Sequence, residues 1–256
     1  MGFFDRISNS WNIFKISFDF LKRDKSLMIV PVIGALVIIA VLILFFFFAL
    51  PFVQYGGGWL FVILFLLIVN IIAVFFAAIQ SWMVYEVAVG KDATLSSGAK
   101  RAFNNLFDIV LFVIASLVVG SVLRAVREKG GVFGEIASGV VGVFVGIAQK
   151  LIVPAMIIGE RNFWESVKYL GKAVKALPEI AVYEIGMGPL FFAAFLLNIA
   201  IAFLVAMIFG FLTGVIMFVV ILVLMIYLYS LIDQIYYTLL YIAVLEKKKV
   251  KGLKLR

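Results

Sequence analysis

Two long stretches of the chain contain no charged side chain. The first comprises the sixty residues 26–85, and the second the forty-eight residues 185–232. A helix that crosses a bilayer needs about 20 consecutive apolar residues, so each stretch has room for two crossings and a turn. This pattern predicts a multi-spanning α-helical membrane protein.

Turn residues and shorter apolar runs divide the chain further, into six predicted transmembrane helices. Residues 54–58 and 210–214 interrupt the two long stretches, and the polar run 124–131 separates another pair of helices as a loop. The predicted helices are 27–50, 59–84, 102–123, 132–158, 187–208 and 215–245. The expected fold is therefore all-α, a single membrane domain with six spans.

Each predicted pair of helices is preceded by a segment with the spacing of an amphipathic helix. In all three segments, apolar residues recur at steps of four, three, four and three, which places them on one helical stripe. The stripes are Ile7, Trp11, Phe14, Phe18 and Leu21; Leu95, Ala99, Ala102, Leu106 and Ile109; and Phe163, Val167, Leu170, Val174 and Leu177.

This spacing suggests three repeat units, each an amphipathic helix followed by a hairpin. The units would be 1–88, 89–159 and 160–245, followed by a basic tail at 246–256. Because the same spacing is typical of any surface helix, an unrepeated chain remains the alternative.

Basic residues are distributed unevenly between the two sides that six alternating spans define. Of the 22 Lys and Arg residues, nineteen fall on the side of the termini; the other side has only Arg124, Arg127 and Lys129. Cytoplasmic loops carry the excess of Lys and Arg, so we expect a multi-pass protein of the cell membrane with both termini in the cytoplasm. The asymmetry also explains the net charge of +8 without a nucleic-acid partner.

Aromatic and basic side chains at the cytoplasmic boundary predict contact with the bilayer, in particular with anionic lipids. Membrane-protein partners or a homo-oligomer are further possibilities for this surface. The residues expected at the lipid interface are Trp11, Phe14, Phe18, Trp164, Lys247, Lys248 and Lys249.

The sequence contains neither histidine nor cysteine. This excludes imidazole and thiolate as ligands of zinc, haem or iron–sulfur clusters, and it removes the usual general base near neutral pH. We therefore expect no cofactor, no metal and no enzymatic activity.

Four charged residues are predicted in or beside the spans: Asp233, Lys150, Asp108 and Glu86. Intramembrane carboxylates are costly and often mark proton or ion paths. For Asp233 three interpretations stay open: a functional carboxylate, a structural one that is protonated or bonded to tyrosine or lysine, and one in the interface beyond an early helix end. Lys150 would pair with Asp108, Glu86 or Asp233, or extend toward the headgroups.

Small residues precede Lys150 at steps of four: Gly134, Ser138, Gly142 and Gly146. Small side chains at this spacing let a second helix approach closely, so we expect them to serve helix packing rather than to line a pore.

Several segments resemble a known group of proteins. They are 90–98 (GKDATLSSG), Val153-Pro154, Gly159-Glu160-Arg161 with the following helix that carries Ser166, and 234–243 (QIYYTLLYIA). Together they resemble an uncharacterised family of six-span prokaryotic membrane proteins and, more loosely, the membrane domain attached to some glycerophosphodiester phosphodiesterases. The resemblance implies an α-helical membrane domain and no catalytic residues.

Sequence alone favours a non-enzymatic membrane protein that organises lipids or partner proteins at the cytoplasmic face. The alternative is a small transporter or channel that is proton-linked through Asp233. A cavity reaching Asp233 would favour transport, whereas a sealed or interfacial Asp233 would exclude it.

Overall fold

Helices account for nearly all of the chain that the structure describes, as the apolar periodicity predicts. The computed structural model describes residues 3–53, 58–169, 171, 177–248 and 250, and within them no strand is found. The helices are α1 (Phe3–Arg23), α2 (Ser26–Val53), α3 (Gly58–Ala88), α4 (Leu95–Asn104), α5 (Leu106–Lys129), α6 (Gly131–Ile157), α7 (Phe163–Tyr169), α8 (Leu177–Phe209) and α9 (Phe211–Leu240). A π-helical turn, Tyr241–Leu245, continues α9.

Five of these helices, among the described residues, are long and apolar enough to cross a membrane, so the prediction of six such helices is wrong. They are α2, α3, α5, α8 and α9. The exception is α6, which has only a shorter apolar stretch, Val145–Ile157. Charged Glu135 and Lys150 and several glycines interrupt the apolar character of α6.

The observed helices extend beyond several predicted ends. The predicted loop at 124–131 is mostly helical, because α5 continues to Lys129. Helix α8 begins at Leu177, ten residues before the expected start, and so includes two glutamates. Between α8 and α9 only Gly210 leaves the helical conformation; its φ of +94° is one that side chains disfavour. The predicted turn at 54–58 lies outside the described residues except for Gly58.

The buried core lies at one end of the helices. We call this the shared end, because α2, α5 and α8 begin there and α3, α6 and α9 finish there. Consecutive long helices pack together as α2 with α3, α5 with α6 and α8 with α9, while α3 and α9 also contact each other. The core includes Leu27, Val84, Ile109, Met156, Ile157, Ile180, Leu239 and Leu240, all fully buried.

At the opposite end, which we call the far end, large apolar side chains are exposed. Phe47 and Phe48 of α2, Met207 and Ile208 of α8, and Phe211 of α9 are each about 70% exposed or more. Such a surface suits lipid contact, since exposed apolar side chains are costly only in water.

Helix α1 packs against α8 and α9 with a face that the apolar spacing did not predict. Ser10, Ile13, Ser17 and Phe20 are buried. From the predicted stripe, Leu21 is buried and Phe14 half-buried, whereas Trp11 and Phe18 are 52% and 41% exposed; the side chain of Ile7 lies outside the described residues. The serines can be buried because their hydroxyls donate to backbone carbonyls, Ser17 to Ile13 and Ser10 to Glu179.

The short helices α4 and α7 are anchored to the long helices. Thr94 caps α4 by accepting a hydrogen bond from the Ser97 amide. From the second and third predicted stripes, Ala102, Ile109 and Phe163 are buried, whereas Leu95, Leu106 and Val167 are exposed. Leu170, Val174 and the side chain of Leu177 lie outside the described residues.

Gly98 allows α4 to lie directly on α3. A Cβ atom at this position would come within 2.9 Å of Ile79 Cγ2 and 3.0 Å of the Ile79 carbonyl oxygen. The carbonyl belongs to the backbone of α3 and cannot move aside locally, so the contact depends on the missing side chain.

We therefore expect Gly98→Ala to destabilise the protein by about 1–3 kcal/mol, the usual cost of overpacking. The matched control is Gly120→Ala, because no described atom lies within 4 Å of a Cβ there and alanine favours the helix by about 1 kcal/mol. Thermal unfolding in detergent measures the stability of both variants. An equal melting temperature for the two variants would contradict the close α3–α4 contact.

Candidate functional site

Three helices bring together one ammonium and two carboxylates. Lys150 Nζ of α6 lies 2.8 Å from Glu184 Oε1 of α8 and 3.1 Å from Asp233 Oδ1 of α9. The Asp233 side chain is only 15% exposed, while those of Lys150 and Glu184 are each about one-third exposed. We call these three residues the Lys150 cluster.

Tyr237 of α9 packs against the Lys150 cluster. The Tyr237 hydroxyl donates to Glu184 Oε1 over 2.5 Å, and Lys150 Nζ lies 4.7 Å from the centre of the Tyr237 ring. The ring therefore adds a cation–π contact to the two ion pairs. Lys150 and Glu184 thus each have at least two polar or aromatic partners, as charged groups away from water require.

A second polar layer connects the cluster to α1. The hydroxyls of Ser10 and Tyr236 lie 2.9 Å apart, and each also lies 2.9 Å from the Glu179 carbonyl oxygen. Tyr236 stacks on Tyr183 with ring centres 3.7 Å apart. These contacts hold α1, α8 and α9 in fixed register beside the charged residues.

A cavity of about 450 Å³ borders the Lys150 cluster. It lies between α3, α5, α6 and α9, and Lys150 forms part of its wall. Its other polar wall residues are Asn70, Ser116, Gln149 and Gln234. Asp233 is not among the wall residues, so the cavity does not reach this carboxylate directly; its ion-pair partner Lys150 and its chain neighbour Gln234 are on the wall. Of the other polar residues in the long helices, Gln80 and Asn198 bond to the backbone of α9, at Leu231 and Phe218 respectively.

The glycines before Lys150 do not all serve the close packing predicted for them. A Cβ at Gly134 would clash with the Val126 carbonyl, so this glycine does allow a close approach of α5. At Gly142 and Gly146, by contrast, no described atom lies within 4 Å of such a Cβ. Gly146 lines the 450 Å³ cavity, and Ser138 and Gly142 line a second cavity near the far end. The packing role expected for Gly142 and Gly146 is therefore wrong.

Two of the three predicted partners of Lys150 lie elsewhere. Glu86 accepts hydrogen bonds from Trp82 Nε1 and from Ser97 Oγ, at 3.1 and 2.6 Å, and thereby fastens α4 to α3. Asp108 accepts from the Phe163 amide over 2.8 Å at the start of α7. Both carboxylates anchor surface helices, and only Asp233 among the three pairs with Lys150.

A second charged group fixes the C-terminal segment. Arg161 Nη1 lies 2.8 Å from Glu246 Oε1, and the Tyr241 hydroxyl donates to the same oxygen. Burial raises the pKa of the Glu246 carboxyl, but hydrogen bonds from Tyr241 and Arg161 outweigh burial and hold this pKa below its usual value. Three lysines predicted at the lipid interface follow Glu246. Lys248 Nζ lies over the Tyr85 ring, and the backbone of Lys247 has a positive φ. Lys249 lies outside the described residues.

The residues expected at the lipid interface are mostly on the surface. Trp164 is 65% exposed, and Lys15 Nζ lies 5.3 Å from the ring of exposed Trp11. Phe14 is half-buried and packs edge-on against Phe18 at 5.1 Å. The structure therefore leaves an aromatic and basic surface on α1.

Glu184 is the site residue that sequence reasoning missed. The fifth predicted helix began at residue 187 and left Glu184 in a loop. A usable signal existed, because Glu184 and Asp233 bound the charge-free stretch 185–232. In a helical hairpin that turns at Gly210, residues 26 positions before and 23 after the turn lie at similar depth.

Among the described residues, no group of three or more Asp and Glu side chains could hold a metal ion. Comparisons with protein-family models, curated proteins and solved structures found no match. The chemistry of the site is therefore interpreted from its own residues.

We expect Lys150→Met to destabilise the protein, because two carboxylates then lie close together without their cation. Removing one partner of a buried ion pair costs about 3–5 kcal/mol. Partial exposure reduces our expectation to about 2 kcal/mol. Thermal unfolding in detergent measures the loss of stability. Adding Glu184→Gln and Asp233→Asn to the Lys150→Met variant should restore most of the lost stability.

Arg124→Met is the matched control, since Arg124 pairs with Glu128 at 3.6 Å where both side chains are more than two-thirds exposed. Such pairs contribute about 0–1 kcal/mol. A loss for Lys150→Met no larger than for this control would show that the Lys150 cluster does not hold the three helices together.

Proposed function

We propose that the protein is a small transporter or channel in which the Lys150 cluster exchanges protons, with Asp233 as the main proton acceptor. The observation that carries this proposal is the position of Lys150. Its ammonium group contacts two carboxylates, and the residue is part of the wall of a cavity of about 450 Å³ between the long helices. Ionisable groups at such depth are costly, and they typically mark substrate or proton paths.

The charge count of the cluster supports proton exchange. One ammonium neutralises only one of two carboxylates, so the fully ionised cluster has a net charge of −1. A single proton on Asp233 or Glu184 makes the cluster neutral. Because the two carboxylates share one cation, protonation of one of them transfers the ion pair to the other. Proton binding would thereby change how α6 is held against α8 and α9.

The membrane setting of this proposal follows the distribution of basic residues. We place the protein in the cell membrane as three hairpins, with both termini and the shared end at the cytoplasmic face. This orientation requires α6 to cross as well, although α6 lacks the long apolar stretch of the other five and has only the shorter one, Val145–Ile157. Its 27 residues extend about 40 Å at 1.5 Å per residue, which is sufficient, and its polar face would point to the cavity rather than to lipid.

The proposed activity is not enzymatic. Neither imidazole nor thiol is present anywhere in the sequence; the Lys150 cluster consists of one ammonium and two carboxylates, with the phenol of Tyr237 beside them. These groups are suited to holding and passing a proton.

We expect purified protein in liposomes to dissipate an imposed pH gradient, read from a trapped pH-sensitive dye, and Asp233→Asn to reduce this proton flux at least tenfold. The amide keeps the shape of the carboxyl but cannot take up the proton. Asp92→Asn serves as the control, because Asp92 is exposed in the segment between α3 and α4 and lines neither of the two cavities described for this chain. Equal flux for the wild type and for folded, monodisperse Asp233→Asn would refute the role of Asp233.

A second candidate function is the organisation of lipids or partner proteins at the cytoplasmic face. The observation that favours it is the docking of α1 by its serine face, which leaves Trp11 and Phe18 exposed. Lys15 and Lys22 are exposed on the same helix. Aromatic side chains beside basic ones suit the headgroup layer of an anionic leaflet.

For this candidate we expect vesicles with anionic lipid to raise the melting temperature above that in zwitterionic vesicles. The double variant Lys15→Gln/Lys22→Gln should lose about half of this increase, since each basic residue contributes about 1 kcal/mol near an anionic surface. The double variant Arg124→Gln/Lys129→Gln removes the same charge at the far end. If the two double variants lose the same share of the increase in melting temperature, this would argue against a lipid role for α1.

A further inference from the structure

A second cavity, larger than the first, lies between α5 and α6 near the far end. Its volume is about 900 Å³, and its polar wall residues are Arg124, Arg127, Glu128, Glu135 and Ser138. Arg127 and Glu135 on this wall form an ion pair, with Nη2 and Oε1 3.4 Å apart. The wall therefore has charged groups of both signs, as water-filled clefts commonly do.

The two cavities follow one another along the same faces of α5 and α6. On α5, Leu117 lines the inner cavity and Gly120 the outer one. On α6, Gly146 lines the inner cavity and Gly142 the outer one. Each step is about one helical turn, or roughly 5 Å. The space next to Gly120, Gly142 and Gly146 is open, since no described atom lies within 4 Å of a Cβ built there.

Toward the shared end, by contrast, the helices are tightly packed. One residue after Lys150, Leu151 is fully buried, and so are Met156 and Ile157 of the same helix. From the neighbouring helices, Met83 and Leu239 are also fully buried. The open space along α6 therefore ends within about one helical turn of Lys150, at Val153, the last residue of α6 on the wall of the inner cavity.

We propose that the two cavities form one aqueous vestibule that admits water and protons from the far end to the Lys150 cluster and is closed toward the shared end. Water on one side lowers the cost of keeping three ionisable groups at membrane depth. It also explains why α6 carries Glu135, Ser138 and Gln149 where a lipid-facing helix would be apolar. The vestibule deepens the proposed transport function, but its existence does not depend on proton flux.

The absence of cysteine from the sequence makes this proposal directly testable. Single cysteines are introduced at Ser116 and Gly146, on opposite walls of the inner cavity, and the full-length variants are expressed in cells. A membrane-impermeant, cationic methanethiosulfonate reagent is then added either outside intact cells or to inside-out vesicles. Only a thiol in contact with water ionises and reacts, so the reaction rate reports water access.

Two control positions complete the experiment. Val118 is 57% exposed and lies outside both cavity walls on α5, so Val118→Cys reports a lipid-facing thiol. Ile157→Cys reports the packed shared end. We expect Ser116→Cys and Gly146→Cys to react from outside at least tenfold faster than either control, and to react from the cytoplasmic side no faster than the controls.

Rates equal to that of Val118→Cys, or reaction only from the cytoplasmic side, would overturn the vestibule. The open space beside Gly146 limits the risk that the new side chain causes misfolding. For each variant, detection of monodisperse protein confirms that it has folded. Fast labelling from outside without measurable proton flux would support the vestibule while refuting the transport function, so the two proposals fail separately.

Discussion

The pairing of one lysine with two carboxylates, across three helices, is the interaction on which the arrangement of the other helices depends. Because a bilayer offers no water to a charged group, Lys150 of α6 has to meet Glu184 of α8 and Asp233 of α9 at one depth. This requirement sets the register of the three helices. Helix α1 then packs on α8 and α9 through the contacts of Ser10 and Tyr236 with the Glu179 carbonyl, and its aromatic side chains are left on the outside.

The packing of the molecule is asymmetric along the helix axes. At the shared end, tight apolar contacts and anchoring carboxylates such as Glu86 and Asp108 join nearly every helix. At the far end, apolar surfaces are exposed and the facing sides of α5 and α6 leave open space. The Lys150 cluster lies at the boundary between the two regions. A charged group at such a boundary can be solvated from one side only, and this is the geometry that one-sided access to a transport site requires.

Several features could be predicted from the sequence, and the errors have identifiable physical causes. The long apolar stretches led to the correct helices in the cases of α2, α3 and α9, and the pair of Lys150 with Asp233 was among those considered. The start of α8 was placed too late, because Tyr183 and Glu184 look like the polar end of a span when their partners are unknown. The glycines of α6 were assigned to packing because small residues permit close approach, but whether a helix takes up that space depends on its neighbours.

The helical, membrane-spanning character of the chain can be derived from its amino-acid order, since apolar runs of this length have no other way to satisfy their backbone in lipid. The few charges that lie inside those runs can be read off in the same way. The three-dimensional packing of the helices fixes which of these charges meet, buries the serine face rather than the aromatic face of α1, and leaves open space beside Lys150. These features depend on the relative rotation and depth of helices far apart in the chain. Local periodicity contains no information about either, because it reports one helix at a time.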